Sequence, residues 1–228
     1  MSSVALPLAA SDWGFVRDNL WTLLAAVWPA LKLTGAALGL GFVAGLPLGV
    51  LEVYGGRRSA WLARKVGVAV RGTPIIVLMF ITYFGLGLSP AFVAATAALG
   101  VRSAAYQGQV FRGALQSIGR GQMEAARAIG LSKLGAIRHV MIPQALRRYI
   151  PGFQNEYTIV LKDTSIAFAI SYTEIFYQMY NLIPQQTTAT PELFVTVAVI
   201  YLVLTLAGNR ILEYVDDVFS IPGGGASQ

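Results

Sequence analysis

Residues 72–101 read GTPIIVLMFITYFGLGLSPAFVAATAALGV, a stretch without one charged side chain. On either side of it, residues 33–51 and 193–209 are also free of Asp, Glu, Lys and Arg. A hydrocarbon core about 30 Å thick is crossed by roughly 20 helical residues. The strands of a membrane barrel would instead show alternating stretches of about 10 residues, which this sequence lacks. The uncharged stretches therefore predict membrane-spanning α-helices.

The composition supports a membrane environment. Of the 228 residues, 55% are hydrophobic and 12% are charged, against about 25% charged in soluble domains. The net charge is +6, but the basic residues cluster beside the hydrophobic stretches, where they would meet anionic lipid headgroups rather than nucleic acid. The chain has no cysteine and a single histidine. These counts exclude disulfides and thiolate chemistry, and they leave neither a metal site nor a catalytic dyad.

Five spans are predicted, at residues 30–53, 66–86, 90–111, 149–172 and 191–214. Residues 12–28 carry three tryptophans, which predicts an interfacial approach because indole rings favour the headgroup level. The first span contains five glycines at close spacing (Gly35, Gly39, Gly41, Gly45 and Gly49). Small residues at such spacing let helices approach closely in lipid. A phosphate-binding loop is the alternative, but no lysine follows these glycines. The predicted fold class is an all-α integral membrane protein with one domain over residues 1–228.

The distribution of positive charge predicts the orientation. Residues 54–71 hold five Lys or Arg and residues 112–148 hold seven, whereas the opposite connections at 86–90 and 173–190 hold none. Because positively charged loops stay on the cytoplasmic side, the N-terminus is expected outside and the C-terminus inside. Residues 112–148, which we call the coupling segment, are therefore expected in the cytoplasm.

Within the coupling segment, residues 124–143 read EAARAIGLSKLGAIRHVMIP. The first residues favour a helix, and Gly130 can end it in a left-handed conformation. Ser132 can cap a second short helix with Leu134, Ile137 and Met141 on one face, and Pro143 is expected to end that helix. The interpretation is two short helices along the membrane surface. From the residues alone, an ordinary amphipathic interfacial loop remains the alternative.

The order of these residues resembles the cytoplasmic coupling loop of ABC importer membrane subunits. The pattern is Glu-Ala-Ala, three residues, Gly, nine residues, then aliphatic-x-aliphatic-Pro, with Val140 and Ile142 standing where Ile and Leu are usual. The resemblance implies that Glu124, Ala125, Ala126, Gly130 and Pro143 belong to a lever that seats in a groove of a separate ATPase subunit. Small alanine side chains suit deep seating.

The predicted fourth span carries a group of polar residues that we call the polar column (Asn155, Glu156, Lys162, Asp163, Thr164 and Ser165). Charges within a span are costly and point to function. Helical spacing stacks Glu156 near Asp163 and Asn155 near Lys162. Neighbouring Lys162 and Asp163 can partly neutralise each other, while the two hydroxyls can satisfy a loosened backbone. A structural ion pair that locks helices together is as compatible with this pattern as substrate contact.

Two further motifs resemble the polar-amino-acid branch of ABC importer permeases: RGTP at residues 71–74 followed by IIVLMF, and NEYTIVLKDTS at 155–165. The likeness extends over residues 31–214. It implies a small transmembrane site in which carboxylates such as Glu156 and Asp163 meet an ammonium while Lys162 or backbone donors meet a carboxylate. Leu78 departs from the glutamine usual four residues after the proline, which weakens the assignment and is also compatible with a non-binding half of a heterodimer.

The resulting hypothesis is a permease subunit in the bacterial inner membrane that imports polar amino acids, with no catalytic residue and no cofactor of its own. The chain has no GxxxxGK[ST] motif, so ATP and Mg are expected on a partner ATPase dimer. The other expected partners are a second permease copy or paralogue, an extracytoplasmic solute-binding protein and lipid. The alternatives are an ion-gradient-driven carrier for a small zwitterionic solute and an intramembrane hydrolase. The latter is disfavoured because the one histidine, His139, lies in the polar segment.

Overall fold

The computed structural model describes residues 12–219, which are helical and contain no strand in this range. The α-helices are α1 Trp13–Ala25, α2 Val27–Tyr54, α3 Arg57–Gly72, α4 Ile75–Phe80, α5 Ala91–Gln116, α6 Arg120–Ala128, α7 Lys133–Ala136, α8 Ile142–Asp163, α9 Ile175–Leu182 and α10 Thr190–Phe219. Wider π-helical turns cover Ile81–Gly85 and Ile137–Met141, and a 3₁₀ segment covers Thr164–Ile170. The all-α prediction is confirmed.

Two stretches are long and apolar enough to cross a bilayer as they stand: Trp13–Tyr54, of 42 residues, and Thr187–Val218, of 32 residues. The first joins α1 and α2 end to end. At 1.5 Å per residue it is about 63 Å long, roughly twice the hydrocarbon core. The predicted interfacial approach at residues 12–28 is thus the first part of one long helix. Its Trp21 and Trp28 side chains are exposed.

The predicted second span, 66–86, is broken rather than straight. It falls on a helix pair, Arg57–Gly72 and Ile75–Gly85, that meets at an angle of 100°. The break lies at Thr73, which is extended, and Pro74, which precedes the first residue of α4. Proline has no N–H for the helix ladder and disfavours helical conformation in the residue before it. Counting this pair as one span gives up to three spans by length and composition among residues 12–219.

Helix α5 is the centre of the fold. It packs along α2 and α8, and the predicted third and fourth spans fall largely on α5 and α8. Three of the five predicted packing glycines face α5: a Cβ at Gly45 would lie 2.7 Å from the Ala104 carbonyl oxygen, and Gly41 and Gly49 are equally crowded. Gly35 and Gly39 have nothing within 4 Å. The close approach of α2 to α5 therefore depends on part of the glycine series.

Beyond α8 the chain loosens into the 3₁₀ segment, which ends at Ser171 with a left-handed φ of 61°. The Glu174 side chain then caps α9, accepting the amide N–H groups of Phe176 at 2.8 Å and Tyr177 at 2.7 Å. The same carboxylate accepts the Tyr201 hydroxyl of α10 at 2.7 Å. This buried carboxylate fixes α9 against α10.

Candidate functional site

The coupling segment contains a rigid bend at Gly130. Helix α6 ends in a Schellman motif: the Leu131 N–H reaches the Ala126 carbonyl at 3.1 Å, and the Gly130 N–H reaches the Arg127 carbonyl at 3.1 Å. Gly130 adopts φ 92°, a conformation that favours glycine. Ser132 then caps the next turn, its hydroxyl accepting the Gly135 N–H at 3.1 Å. The predicted bend and cap are both present.

The predicted end of the second short helix at Pro143 is wrong. From α7 the chain runs through the π turn Ile137–Met141 directly into α8, and Pro143 lies in the first turn of α8. A proline in the first helical turn removes no hydrogen bond, and a wider π turn precedes it. The coupling segment is therefore continuous with the helix that carries the polar column.

The exposure of the coupling residues divides them into two sets. Ala126 is buried within the chain, whereas Glu124, Ala125, Gly130 and Pro143 are exposed. Leu134, predicted on the apolar face with Ile137 and Met141, is instead 74% exposed, while those two residues are buried. Ile129 is 81% exposed. The segment thus presents two large apolar side chains outward beside the bend.

Polar contacts fix the coupling segment to the spans. The Lys133 ammonium donates to the carbonyl of Tyr54, the last residue of α2, at 2.9 Å. The Arg148 guanidinium donates to the Ser117 hydroxyl at 3.0 Å, which joins α8 to the end of α5. Glu124 lines a groove of about 590 Å³ between this segment and the ends of α2 and α5. The segment is therefore joined to the ends of α2 and α5 by hydrogen bonds and to α8 by chain continuity.

The polar column divides between two faces of α8. Glu156 is buried, 3% exposed, and Asp163 is partly buried, both turned toward α5. Asn155 and Lys162 are exposed. The predicted stacking in two rows is present, but the predicted neutralisation of Asp163 by neighbouring Lys162 is not. The counter-ion of Asp163 is a different residue.

That counter-ion is Arg102 of α5, whose Nη1 pairs with the Asp163 carboxylate. The side chains are 18% and 19% exposed, respectively. Arg102 also attracts Glu156 electrostatically, and its guanidinium stacks on the Tyr106 ring at 5.3 Å. Sequence reasoning missed Arg102. The available signal was a lone arginine within the predicted third span, because a charge at that depth requires a partner.

Glu156 belongs to a buried polar network that sequence reasoning also missed. The Ser103 hydroxyl donates to its carboxylate and accepts from the Gln107 amide at 2.9 Å. The Gln107 amide also donates to the Leu38 carbonyl of α2 at 3.1 Å, and its oxygen accepts from the Tyr149 hydroxyl. The network ties α2, α5 and α8 together. No short sequence motif predicts this network, because its members come from three separate helices.

The remaining members of the column have local roles. The Thr164 hydroxyl donates to the Leu161 carbonyl and that of Ser165 to the Lys162 carbonyl, each at 2.7 Å, as predicted for a loosened backbone. Lys162 and Ser165 line a cavity of about 440 Å³ against α9 and α10, with apolar walls that include Phe176, Phe194 and Tyr201. Leu78 packs against the core beside α5.

Comparison with known proteins gives consistent matches. The model of the family described as the binding-protein-dependent transport system inner membrane component matches residues 37–220. The octopine transport system permease protein OccM of Rhizobium meliloti is 34% identical over 218 residues, covering 89% of this chain and 87% of that protein. The glutamine transport system permease protein GlnP of Escherichia coli (strain K12) is 36% identical over 205 residues, covering 82% and 93%. A chain from the crystal structure of an amino acid ABC transporter with histidines superposes with a TM-score of 0.77 at 29% identity, covering 89% and 97%.

Proposed function

Because this chain belongs to the family of binding-protein-dependent transport system inner membrane components, we propose that it is the permease subunit of an ATP-driven importer for polar amino acids or related zwitterions. The cargo proposal draws on the relatives, which are permeases for octopine and glutamine. The chain forms the membrane path. The alternative, an ion-gradient-driven carrier, is not favoured because the relatives are subunits of ABC importers.

The observation that carries this proposal is the coupling segment. It combines a bend fixed by Gly130 with two outward apolar side chains, Ile129 and Leu134, that are 81% and 74% exposed. Two large apolar side chains exposed on either side of a fixed bend suit a contact with another protein. The proposed occupant is a groove of an ATPase subunit, which supplies the ATP and Mg that this chain has no motif to bind.

The proposed assembly contains two such permease chains, identical or paralogous, two ATPase subunits and an extracytoplasmic solute-binding protein. Closure of the ATPase pair on ATP would move both coupling segments. Since each segment continues without interruption into α8, the movement would reach the polar column directly. Five spans, with the N-terminus outside and the C-terminus inside, would place the segment on the cytoplasmic side.

The proposed cargo site lies on the inward face of the column. Glu156 and Asp163 turn toward α5, where two carboxylates can receive an ammonium group through charge-assisted hydrogen bonds. Thr164 and Ser165 donate to carbonyls one turn back along the backbone and shape the end of α8. Asn155 and Lys162 are exposed, and Lys162 lines the cavity against α9 and α10.

The test is reconstitution with the ATPase and the binding protein in liposomes. Uptake of labelled amino acid should require ATP and the binding protein. Leu134→Asp should abolish co-purification of the ATPase, because a charge replaces an apolar contact. His139→Asn, a change of an exposed polar side chain in the same segment, is the matched control and should retain it. Uptake driven by an ion gradient without any ATPase would refute the proposal.

A further inference from the structure

The ion pair between Arg102 and Asp163 is placed where cargo is proposed to bind. It joins α5 to α8, and Glu156 lies on the same face of α8 two turns away, within the electrostatic reach of the same guanidinium. The two side chains are 18% and 19% exposed, so each retains an accessible edge.

Among the described residues, Arg102 suits cargo better than two other cations, Arg71 and Lys162. Arg71 donates to the Ala105 carbonyl at 2.7 Å and is committed to the α5 backbone. Lys162 lies on the opposite face, in the cavity against α9 and α10. Arg102 faces both carboxylates, and its planar guanidinium suits bidentate recognition of a carboxylate group.

We propose that Arg102 binds the α-carboxylate of the cargo by exchanging its ion-pair partner Asp163 for that carboxylate. In the cargo-free state Asp163 neutralises Arg102. On binding, the cargo carboxylate takes the guanidinium while the cargo ammonium takes Asp163, with Glu156 beside it. Arg102 and Asp163 each keep a counter-ion throughout, so the exchange leaves neither of them unpaired at membrane depth. This inference rests on the proposed function and deepens it: the site selects the α-amino-acid head, not the side chain.

The experiment measures direct binding to the purified permease–ATPase complex in nanodiscs, without the binding protein, so that only this site discriminates. The probes are L-glutamine and its α-carboxamide, which lacks the carboxylate charge. The wild-type complex should prefer the acid by roughly 10- to 100-fold, the range for a charge-assisted hydrogen bond. In Arg102→Gln this preference should collapse to less than about twofold. A merely structural pair would weaken both probes alike and leave their ratio unchanged.

Two further variants make the outcome decisive. Lys162→Gln is the matched cation control and should keep the wild-type preference for L-glutamine over its α-carboxamide. Loss of this preference in Lys162→Gln would show that Lys162 binds the carboxylate and would overturn the proposal. Arg102→Lys keeps the charge but lacks the planar, bidentate guanidinium, so it should show an intermediate preference. This variant tests the proposal if the Arg102→Gln complex does not assemble. A wild-type complex that binds neither probe, or both equally, would also overturn it. If the full reconstitution still shows ATP-dependent uptake but the ratio of affinities for the two probes is the same with and without Arg102, the inference fails and the proposed function stands.

Discussion

Replacing Gly45 by alanine should separate α2 from α5 and destabilise the protein. The added Cβ would lie 2.7 Å from the Ala104 carbonyl oxygen and 3.0 Å from the Gly108 amide nitrogen. Since ordinary contact begins near 3.4 Å, the two backbones must part by about 0.7 Å. Overpacking of this kind costs about 1–3 kcal/mol. The same shift would stretch the bond from Gln107 to the Leu38 carbonyl, now 3.1 Å, beyond hydrogen-bond range.

The matched control is Gly39→Ala in the same helix, where a Cβ meets nothing within 4 Å. Helix propensity alone favours that change by up to about 1 kcal/mol. Because both substitutions replace glycine by alanine in the same helix, that gain is common to the two variants. Their free energies of unfolding should therefore differ by the overpacking cost alone, about 1–3 kcal/mol. The assay is the thermal unfolding midpoint in detergent, where 2 kcal/mol corresponds to about 4–8 °C for a chain of this size. Equal midpoints for the two variants would refute the close α2–α5 packing.

Two further predictions concern coupling and the buried network. Gly130→Val forces a β-branched residue into φ 92°, at a cost of about 1–2 kcal/mol or more, so uptake per ATP hydrolysed should fall. Gly130→Asn should lower this ratio less, because asparagine tolerates positive φ. An unchanged ratio in the valine variant would show that the bend has no role in coupling. Gln107→Leu leaves the Tyr149 hydroxyl without its acceptor and should lower stability by about 1–3 kcal/mol, measured by the unfolding midpoint. The exposed Gln109→Leu is its control, and equal midpoints would show that the network contributes nothing.

The sequence predicted those features that depend on local chemistry. Gly130 and Ser132 act through their own backbone, so the bend and the cap followed from residue type and position. The break at Pro74 was also a local effect, but the uncharged stretch around it favoured a straight span. The prediction that Pro143 ends a helix was wrong because a proline in a first helical turn is tolerated, and the sequence does not fix where that turn begins.

Features that depend on contacts between distant residues were not predicted. Asp163 pairs with Arg102 across 61 positions of the chain, so its adjacent Lys162 was the only partner that local reasoning could offer. Gln107 likewise reaches the Leu38 carbonyl 69 positions away. Such partners are set by the packing of α5 against α2 and α8, and that packing geometry is not encoded in any short motif.

The corner between α3 and α4 has a consequence for the environment of the chain. Beside it, Arg71 bonds to Ala105, which lies near the middle of α5. If α5 spans the bilayer, the interrupted backbone ladder at Thr73 sits at hydrocarbon depth, and lipid tails offer no hydrogen bonds to unpaired amide or carbonyl groups. Gly72 and Pro74 are nevertheless exposed on the single chain. Such a corner is stable only when water or a neighbouring polypeptide satisfies its backbone groups. A single copy surrounded by lipid alone would leave those groups without hydrogen bonds.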